Sequence, residues 1–216
     1  MKTGVYLINF NYKLFLPWAL RSLKAQTKKP DVLIFIDDCS TDGSVDLVHN
    51  HFSEIKFDEI IINPTNYGAV KSMNLAVEIL GEKYKCDYIC GLSADDVFDD
   101  DYLKKTYNAL KKSPKEVGWV YTHVRRIGDE NSNDIHPEWN ETLHERTPFC
   151  HGSSLIKYSA WKQAGGLPDV PREEDWQMFK NMAKLGWKGK LLPELLLRWR
   201  KHNLGCRTNM DDIRRK

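Results

Sequence analysis

Four times in the first 116 residues a short apolar run gives way to a stretch whose apolar positions recur three and four apart. The runs at residues 4–8, 32–36, 59–62 and 88–92 predict buried strands. Leu16, Ala19, Leu20 and Leu23 mark one face of the first helix, with Pro17 in its opening turn. Residues 45–51 predict a second helix. Val70, Met73, Val77 and Leu80 predict a third that stops at Gly81, and Leu103, Tyr107 and Leu110 a fourth that ends before Ser113-Pro114. Strands alternating with helices of this length predict βαβ units and a doubly wound, Rossmann-like, mainly parallel sheet flanked by helices.

The pattern changes from Val117 onward, where short strands and aromatic residues take over. Residues 128–141 are polar and predict a long loop, a candidate lid or acceptor-binding segment. Residues 149–157 predict a strand, a short helix surrounds Trp161 and stops at Gly165-Gly166, and residues 191–199 predict a last strand. Between them Arg172-Glu173-Glu174-Asp175-Trp176 opens a helix with Trp176, Phe179 and Ala183 on one side. The expected organisation is a single α/β domain over residues 1–203, with a first half (1–116), a smaller second half (117–203) and a tail (204–216).

Composition narrows the function classes. A chain of 216 residues with 41% hydrophobic content can bury one sizeable core. A net charge of +2, from 32 basic and 30 acidic residues, gives no argument for a nucleic-acid binder. The one basic cluster, Arg214-Arg215-Lys216, reads first as a solvated tail and second as a contact for an anionic membrane. Five cysteines are an odd number, and the closest pair, Cys86 and Cys90, lacks the spacing of a zinc or redox site. Free thiols are expected. Met1-Lys2-Thr3-Gly4-Val5 enters the first strand with no apolar leader, and no run of 18 apolar residues follows. The expected location is cytoplasmic, with a peripheral place at the membrane as the alternative.

Two of the predicted strands end in paired acids, Asp37-Asp38 and Asp95-Asp96. In an open α/β sheet ligands bind outside the carboxyl ends of the strands, where acids are suited to hold a cation and a phosphate. Plainer readings exist: Asp95-Asp96 could cap the next helix, Asp37-Asp38 could form an Asx-turn with Ser40 to Gly43, and Asp175 could cap its own helix. Trp176 and Trp199 read as core or pocket walls.

Several motifs in one order resemble the inverting family 2 glycosyltransferases, which have the GT-A fold. They are Ile8-Asn9-Phe10-Asn11 leaving the first strand, Ser22-Leu23-Lys24-Ala25-Gln26-Thr27, and Asp37-Asp38-Cys39-Ser40-Thr41-Asp42-Gly43-Ser44, similar to D-D-x-S-x-D-G-[ST]. Asn66-Tyr67-Gly68 through Asn74 resembles N-x-G-x-x-x-x-x-N. Ala94-Asp95-Asp96, Gly165-Gly166-Leu167, Glu174-Asp175-Trp176 and Arg200-Lys201-His202 complete the series.

The resemblance implies transfer of one sugar, with inversion, from a nucleotide sugar, UDP-linked by expectation, to an acceptor hydroxyl. Asp96 with Asp95, and His202, would hold Mn²⁺ or Mg²⁺ on the diphosphate, hard cations that need few protein ligands beside phosphate oxygens. Ile8, Asn9, Asn11, Asp37, Asp38, Asn66, Gly68, Asn74 and Asp95 would line the nucleotide. Asp175 would be the general base that an acceptor hydroxyl requires, and Glu174 would orient the acceptor or tune the base. The acceptor could be a glycan, a lipid-linked intermediate or another hydroxyl compound, and self-pairing into a homodimer stays open.

Two departures from the family pattern stand out: Ser93 occupies the first acidic place of D-x-D-D, and Ile8-Asn9 replaces the usual Pro-Thr. No Q-x-x-R-W motif occurs, so processive polysaccharide synthesis is not expected. The rival readings are a nucleotidylyltransferase, disfavoured because residues 8–15 contain no glycine, and a catalytically silent nucleotide-sugar or partner-binding module of the same fold.

Overall fold

A computed structural model describes residues 1–204; the expected tail beyond Leu204, including Cys206 and Arg214-Arg215-Lys216, lies outside the described residues. Strands β1 (Thr3–Asn9), β2 (Val32–Asp37), β3 (Glu59–Ile62) and β4 (Tyr88–Ser93) form one continuous parallel part of a nine-stranded sheet. The sheet continues through β5 (Val97–Phe98), β6 (Val117–Gly128), β7 (Ser132–Asp134), β8 (Leu155–Lys157) and β9 (Lys188–Lys201). The order is β3-β2-β1-β4-β8-β6-β9-β5, with β7 on β6. The mixed α/β, mainly parallel architecture read from the sequence is therefore present.

Alternation along the strands decides which helix goes where. Val5, Leu7, Leu33 and Phe35 point to one face and meet Leu16, Leu20 and Leu23 of α1 (Leu16–Ala25), Val48 of α2 (Ser44–His51) and Leu103 and Leu110 of α4 (Tyr102–Lys111). Tyr6, Ile34 and Ile36 point the other way. They meet Ala76 and Val77 of α3 (Ala69–Glu78), Trp161 of α6 (Tyr158–Gln163) and Met178, Phe179 and Met182 of α7 (Glu174–Lys184). Two separate cores, one on each face, hold the sheet between helices.

The second half departs from expectation. In place of short strands, β6 has 12 residues and β9 has 14, and they run parallel to each other with register shifts around Thr122 and His123. The loop predicted at 128–141 contains β7 and ends where a turn of helix, α5 (Glu141–His144), begins. Arg126 ties β7 to β6 through Nε, which is shared between the two carboxylate oxygens of Asp134 at 2.8 and 2.9 Å, a bifurcated contact that period-two patterning does not reveal. The strand predicted at 149–157 is present only at Leu155–Lys157, because Ser154 turns back to donate from N and Oγ to the His151 carbonyl.

Gly81 does not end the third helix. A single π turn, Ile79–Lys83, continues past it. The Tyr158 ring lies so close that a Cβ at position 81 would come within 2.2 Å of it, so the glycine answers a packing demand. The buried face of α7 centres on Met178, Phe179, Met182 and Ala183, whereas Trp176 is half-buried and donates Nε1–H to the His144 carbonyl at 2.7 Å. Among the described residues no helix is long and apolar enough to cross a membrane, and Cys39, Cys86, Cys90 and Cys150 are free thiols.

Candidate active site at the carboxyl ends of the strands

The chain leaves β1 toward β2 on one side and returns from β3 to β4 on the other, so the sheet's switch point lies between β1 and β4. Asn9, Asp37 and Ser93 are the last residues of β1, β2 and β4, and the register sets Asn9 beside Asp37 and Ile8 beside Ser93. The acidic strand ends recognised in the sequence thus meet at one edge, where open α/β sheets bind ligands.

Asp37 and Asp38 have almost no exposed surface. Asp37 accepts Asn9 Nδ2 at 2.7 Å and the Ser40 amide at 2.7 Å. Asp38 accepts four donors: Asn63 Nδ2 at 2.8 Å, Ser72 Oγ at 2.9 Å, and the Tyr67 and Gly68 amides at 2.8 and 2.9 Å. Burying a carboxylate is costly without such partners. Both acids therefore brace the loops that rim the crevice, and Asp38 fixes the left-handed Gly68, at φ +83, that opens α3.

Asn11 also sits in the left-handed region, at φ +56, and its Oδ1 accepts the Thr41 amide at 2.8 Å while its own amide donates to Ser40 Oγ. Ile8 is half-buried, and its carbonyl accepts the Ala94 amide. Asn66 Oδ1 accepts the Gly68 amide at 2.9 Å from an exposed position. Asn74 is turned elsewhere. Its Nδ2 donates to the Leu167 carbonyl at 2.8 Å and its Oδ1 accepts the Leu167 amide at 3.0 Å, which joins α3 to the Gly165-Gly166-Leu167 turn.

The second acidic pair divides its work. Asp96 is buried and its Oδ1 accepts the Arg200 amide of β9 at 2.9 Å. Burial and the neighbouring Asp95 carboxylate push its pKa well above the usual carboxylate range. Asp95 Oδ2 lies 3.2 Å from His202 Nε2, its carbonyl accepts Arg200 Nε at 3.0 Å, and its Oδ1 is buried with no hydrogen-bond partner. Burial raises the Asp95 pKa, and His202 opposes that rise. His202 Nδ1 accepts the Leu204 amide at 3.1 Å, so Nε2 carries the proton that faces Asp95. The ring is boxed by Tyr12, edge-on at 5.4 Å, and Phe15 at 4.4 Å.

This donor set suits a hard divalent cation that takes most of its ligands from phosphate and water. The orphaned Asp95 Oδ1 is the specific sign, since a buried anionic oxygen without a donor is a place for positive charge. No group of three or more His, Cys, Asp or Glu side chains able to hold a metal occurs among the described residues.

Asp175 stands in the first turn of α7, where the helix dipole favours an anion, and its Oδ1 accepts the Trp176 amide at 2.8 Å. Gly152 lies against it: a Cβ there would come within 3.4 Å of Asp175 Oδ2. The buried Tyr6 and Cys150 feel the Asp175 charge, which adds to burial in raising both pKa values. Glu174 is buried beside it, and Glu173, at φ +62, makes the bend into the helix. Sequence reasoning passed over Asn63, Ser72, Gly152 and the Tyr12–Phe15 box. Asn63 and Ser72 are legible only as partners of Asp38, and the aromatic box left no periodic signal.

Comparison with known proteins agrees with this architecture. The chain is 24% identical over 220 residues to an uncharacterized glycosyltransferase of Haemophilus influenzae, covering 92% of this chain and 65% of that protein. It is 22% identical over 192 residues to the chondroitin synthase of Escherichia coli, covering 85% of this chain and 26% of that protein. The structure of S. aureus TarS 1-349 in complex with UDP-GlcNAc superposes with a TM-score of 0.74 at 15% identity, over 97% of this chain and 61% of that one. The mannosyltransferase PcManGT of Pyrobaculum calidifontis, in complex with GDP-Man and Mn²⁺, gives 0.71 at 18%, over 99% and 60%. This chain thus spans less than two thirds of the length of each of these four proteins. The shared architecture is the GT-A-like fold, and residues 5–161, well over half of the chain, match the model of glycosyl transferase family 2, the family to which this chain belongs.

Proposed function

We propose that this protein transfers a single sugar, with inversion, from a nucleoside diphosphate sugar to an acceptor hydroxyl. The observation that carries the reading is the buried, unpartnered Oδ1 of Asp95 beside His202, at the switch point of the sheet. Asp95 and His202 would hold Mn²⁺ or Mg²⁺, with Asp96 fixing β9 behind them through the Arg200 amide. Such a cation supplies charge neutralisation on the diphosphate leaving group. Binding at His202 Nε2 requires the proton there to leave.

The nucleoside would lie over the rim built by Ile8, Asn9, Asn11, Asn66 and Gly68, with Asp37 and Asp38 acting through the backbone and side chains they brace. UDP is the favoured nucleotide, because the TarS neighbour is in complex with UDP-GlcNAc. Asp175 accepts the acceptor hydroxyl's proton as the new bond forms, and Glu174 backs it. A single displacement with no enzyme nucleophile inverts the anomeric centre.

Thermal unfolding against a panel of nucleoside diphosphates, each with Mn²⁺, Mg²⁺ or chelator, tests the donor half of this reading. A ligand at one hundred times its Kd adds about 2.7 kcal/mol. One nucleotide shifting the midpoint, only with metal, is the expected result. No shift with any nucleotide would overturn it. A metal-dependent shift without detectable transfer would instead favour the silent nucleotide-sugar-binding module.

A further inference from the structure

The start of α1 and the far edge of the sheet border an open groove of about 440 Å³. Its walls are Leu14, Phe15 and Trp18, its floor includes Ile127, and Arg198 and Arg200 stand at its rim. Leu14 is 67% exposed and Trp18 55% exposed, so two large apolar side chains face water where α1 begins. The register adds to the charge: Arg125 pairs with Arg198 and Ile127 with Arg200, which puts all four on one face of β6 and β9. The Arg21 guanidinium lies 5.8 Å from the Trp18 ring and that of Arg200 5.0 Å from the Phe15 ring. Asp99 is ion-paired with Arg198, and Asp95 and Asp96 lie beside Arg200, which leaves Arg21 and Arg125 as the outer cations of this face.

An open apolar floor flanked by the guanidinium groups of Arg21 and Arg125 is complementary to an amphiphile with an anionic head, and a bilayer presents that chemistry over an area. Trp and Leu settle at interfacial depth while arginines pair with lipid phosphates. We propose that this face docks the protein onto an anionic lipid bilayer. Phe15 belongs to both regions, since its ring packs at 4.4 Å on His202, so docking would set the mouth of the strand-end crevice at the membrane surface. The proposal stands on the surface itself and does not depend on the transfer reading.

The test is sedimentation of the full chain with vesicles of phosphatidylglycerol and phosphatidylcholine in equal parts, against vesicles of phosphatidylcholine alone, at low and high salt. Retention on the anionic vesicles only, released by salt, is expected. Leu14→Asp combined with Trp18→Glu should weaken that affinity at least about tenfold and Arg125→Glu about threefold to tenfold, with nucleotide response unchanged. Trp18→Gln alone, at an exposed side chain, carries the test if the double variant fails to fold. Absence of retention on anionic vesicles overturns the proposal. So does retention that all these variants leave intact but removal of Arg214-Arg215-Lys216 abolishes. A dimer in sedimentation velocity that Trp18→Gln disperses would assign the face to a second copy and overturn it as well.

Discussion

His202 Nε2 faces Asp95 Oδ2 at 3.2 Å, across 107 residues of chain, while the adjacent Asp96 turns away to hold the Arg200 amide. The two neighbouring acids should therefore behave oppositely when neutralised. Asp95→Asn is expected to abolish the metal-dependent nucleotide shift, a loss of about 2.7 kcal/mol at one hundred times Kd, and His202→Ala to weaken it. Asp96→Asn keeps an oxygen for the Arg200 amide and removes a charge that burial and Asp95 both disfavour. Its ligand-free midpoint at pH 7 should lie above wild type. A lower midpoint for Asp96→Asn would show that its charge is what β9 needs.

Asn74 shows how a motif position can serve the fold. Both ends of its amide engage Leu167, at 2.8 and 3.0 Å, so Asn74→Ala leaves a half-buried carbonyl and amide without partners. The expected cost is about 2 kcal/mol in denaturant unfolding, with nucleotide affinity within about twofold of wild type. A selective loss of nucleotide affinity would return Asn74 to the nucleotide-binding role expected from its motif.

Much of the parallel half was legible because its periodicities are clean. Residues 32–36 and 88–92 are continuous apolar runs, as strands covered on both faces must be, and Leu16, Ala19, Leu20 and Leu23 trace one helical stripe. The second half was less legible because its elements are set by long-range pairing. The 14 residues of β9 follow the 12 of β6 through register shifts that no local pattern encodes, and β7 pairs with β6 and is tied to it by the contact of Arg126 with Asp134. At the site, the acids could be found from their place at strand ends. Which oxygen is buried with partners, as in Asp38, and which is buried without, as in Asp95, depends on donors from Asn63, Tyr67, Gly68 and Ser72, near in space but 25 to 34 residues away.

Gly81 should tolerate no side chain while Tyr158 is present. Gly81→Ala sets a Cβ within 2.2 Å of that ring, and overpacking of this kind costs about 1–3 kcal/mol. Tyr158→Ser on the same background should recover part of the loss, a coupling that a double-mutant cycle reads directly. Independent losses that simply add would mean that the π turn relaxes around the new methyl group.

Acid should destabilise the protein through buried histidines. Burial holds His151 down to about 3 and His144 down to about 4, both below the ordinary value of 6.5. Because the folded state keeps these rings neutral while the unfolded chain protonates them, their contribution is present above pH 6.5. It declines as the pH falls toward 4 and then 3, with a limiting slope of about 1.4 kcal/mol per pH unit for each ring. His144 packs among Trp139, Phe149 and Phe179 with a buried, unpartnered Nε2. His144→Phe should flatten the slope between pH 6.5 and 4 without loss of stability at neutral pH. An unchanged slope would assign the acid transition to other groups.

Asp175 separates the catalytic reading from plain helix capping. As a cap it would stabilise α7 through its charge and its contact with the Trp176 amide at 2.8 Å; as a base it must also accept a proton from the acceptor hydroxyl. Asparagine keeps the shape and the amide contact but cannot take the proton. Asp175→Asn is expected to lower kcat by about 10²–10⁴-fold while the metal-dependent nucleotide shift stays at its wild-type size. Transfer can be followed as release of nucleoside diphosphate from a nucleotide sugar in single-turnover mixtures. Gly152→Ala, whose methyl group would reach only van der Waals contact with Asp175 Oδ2 at 3.4 Å, should leave kcat near wild type. If Asp175→Asn instead lowers the unfolding midpoint and leaves kcat intact, Asp175 is a cap and the proton is taken elsewhere.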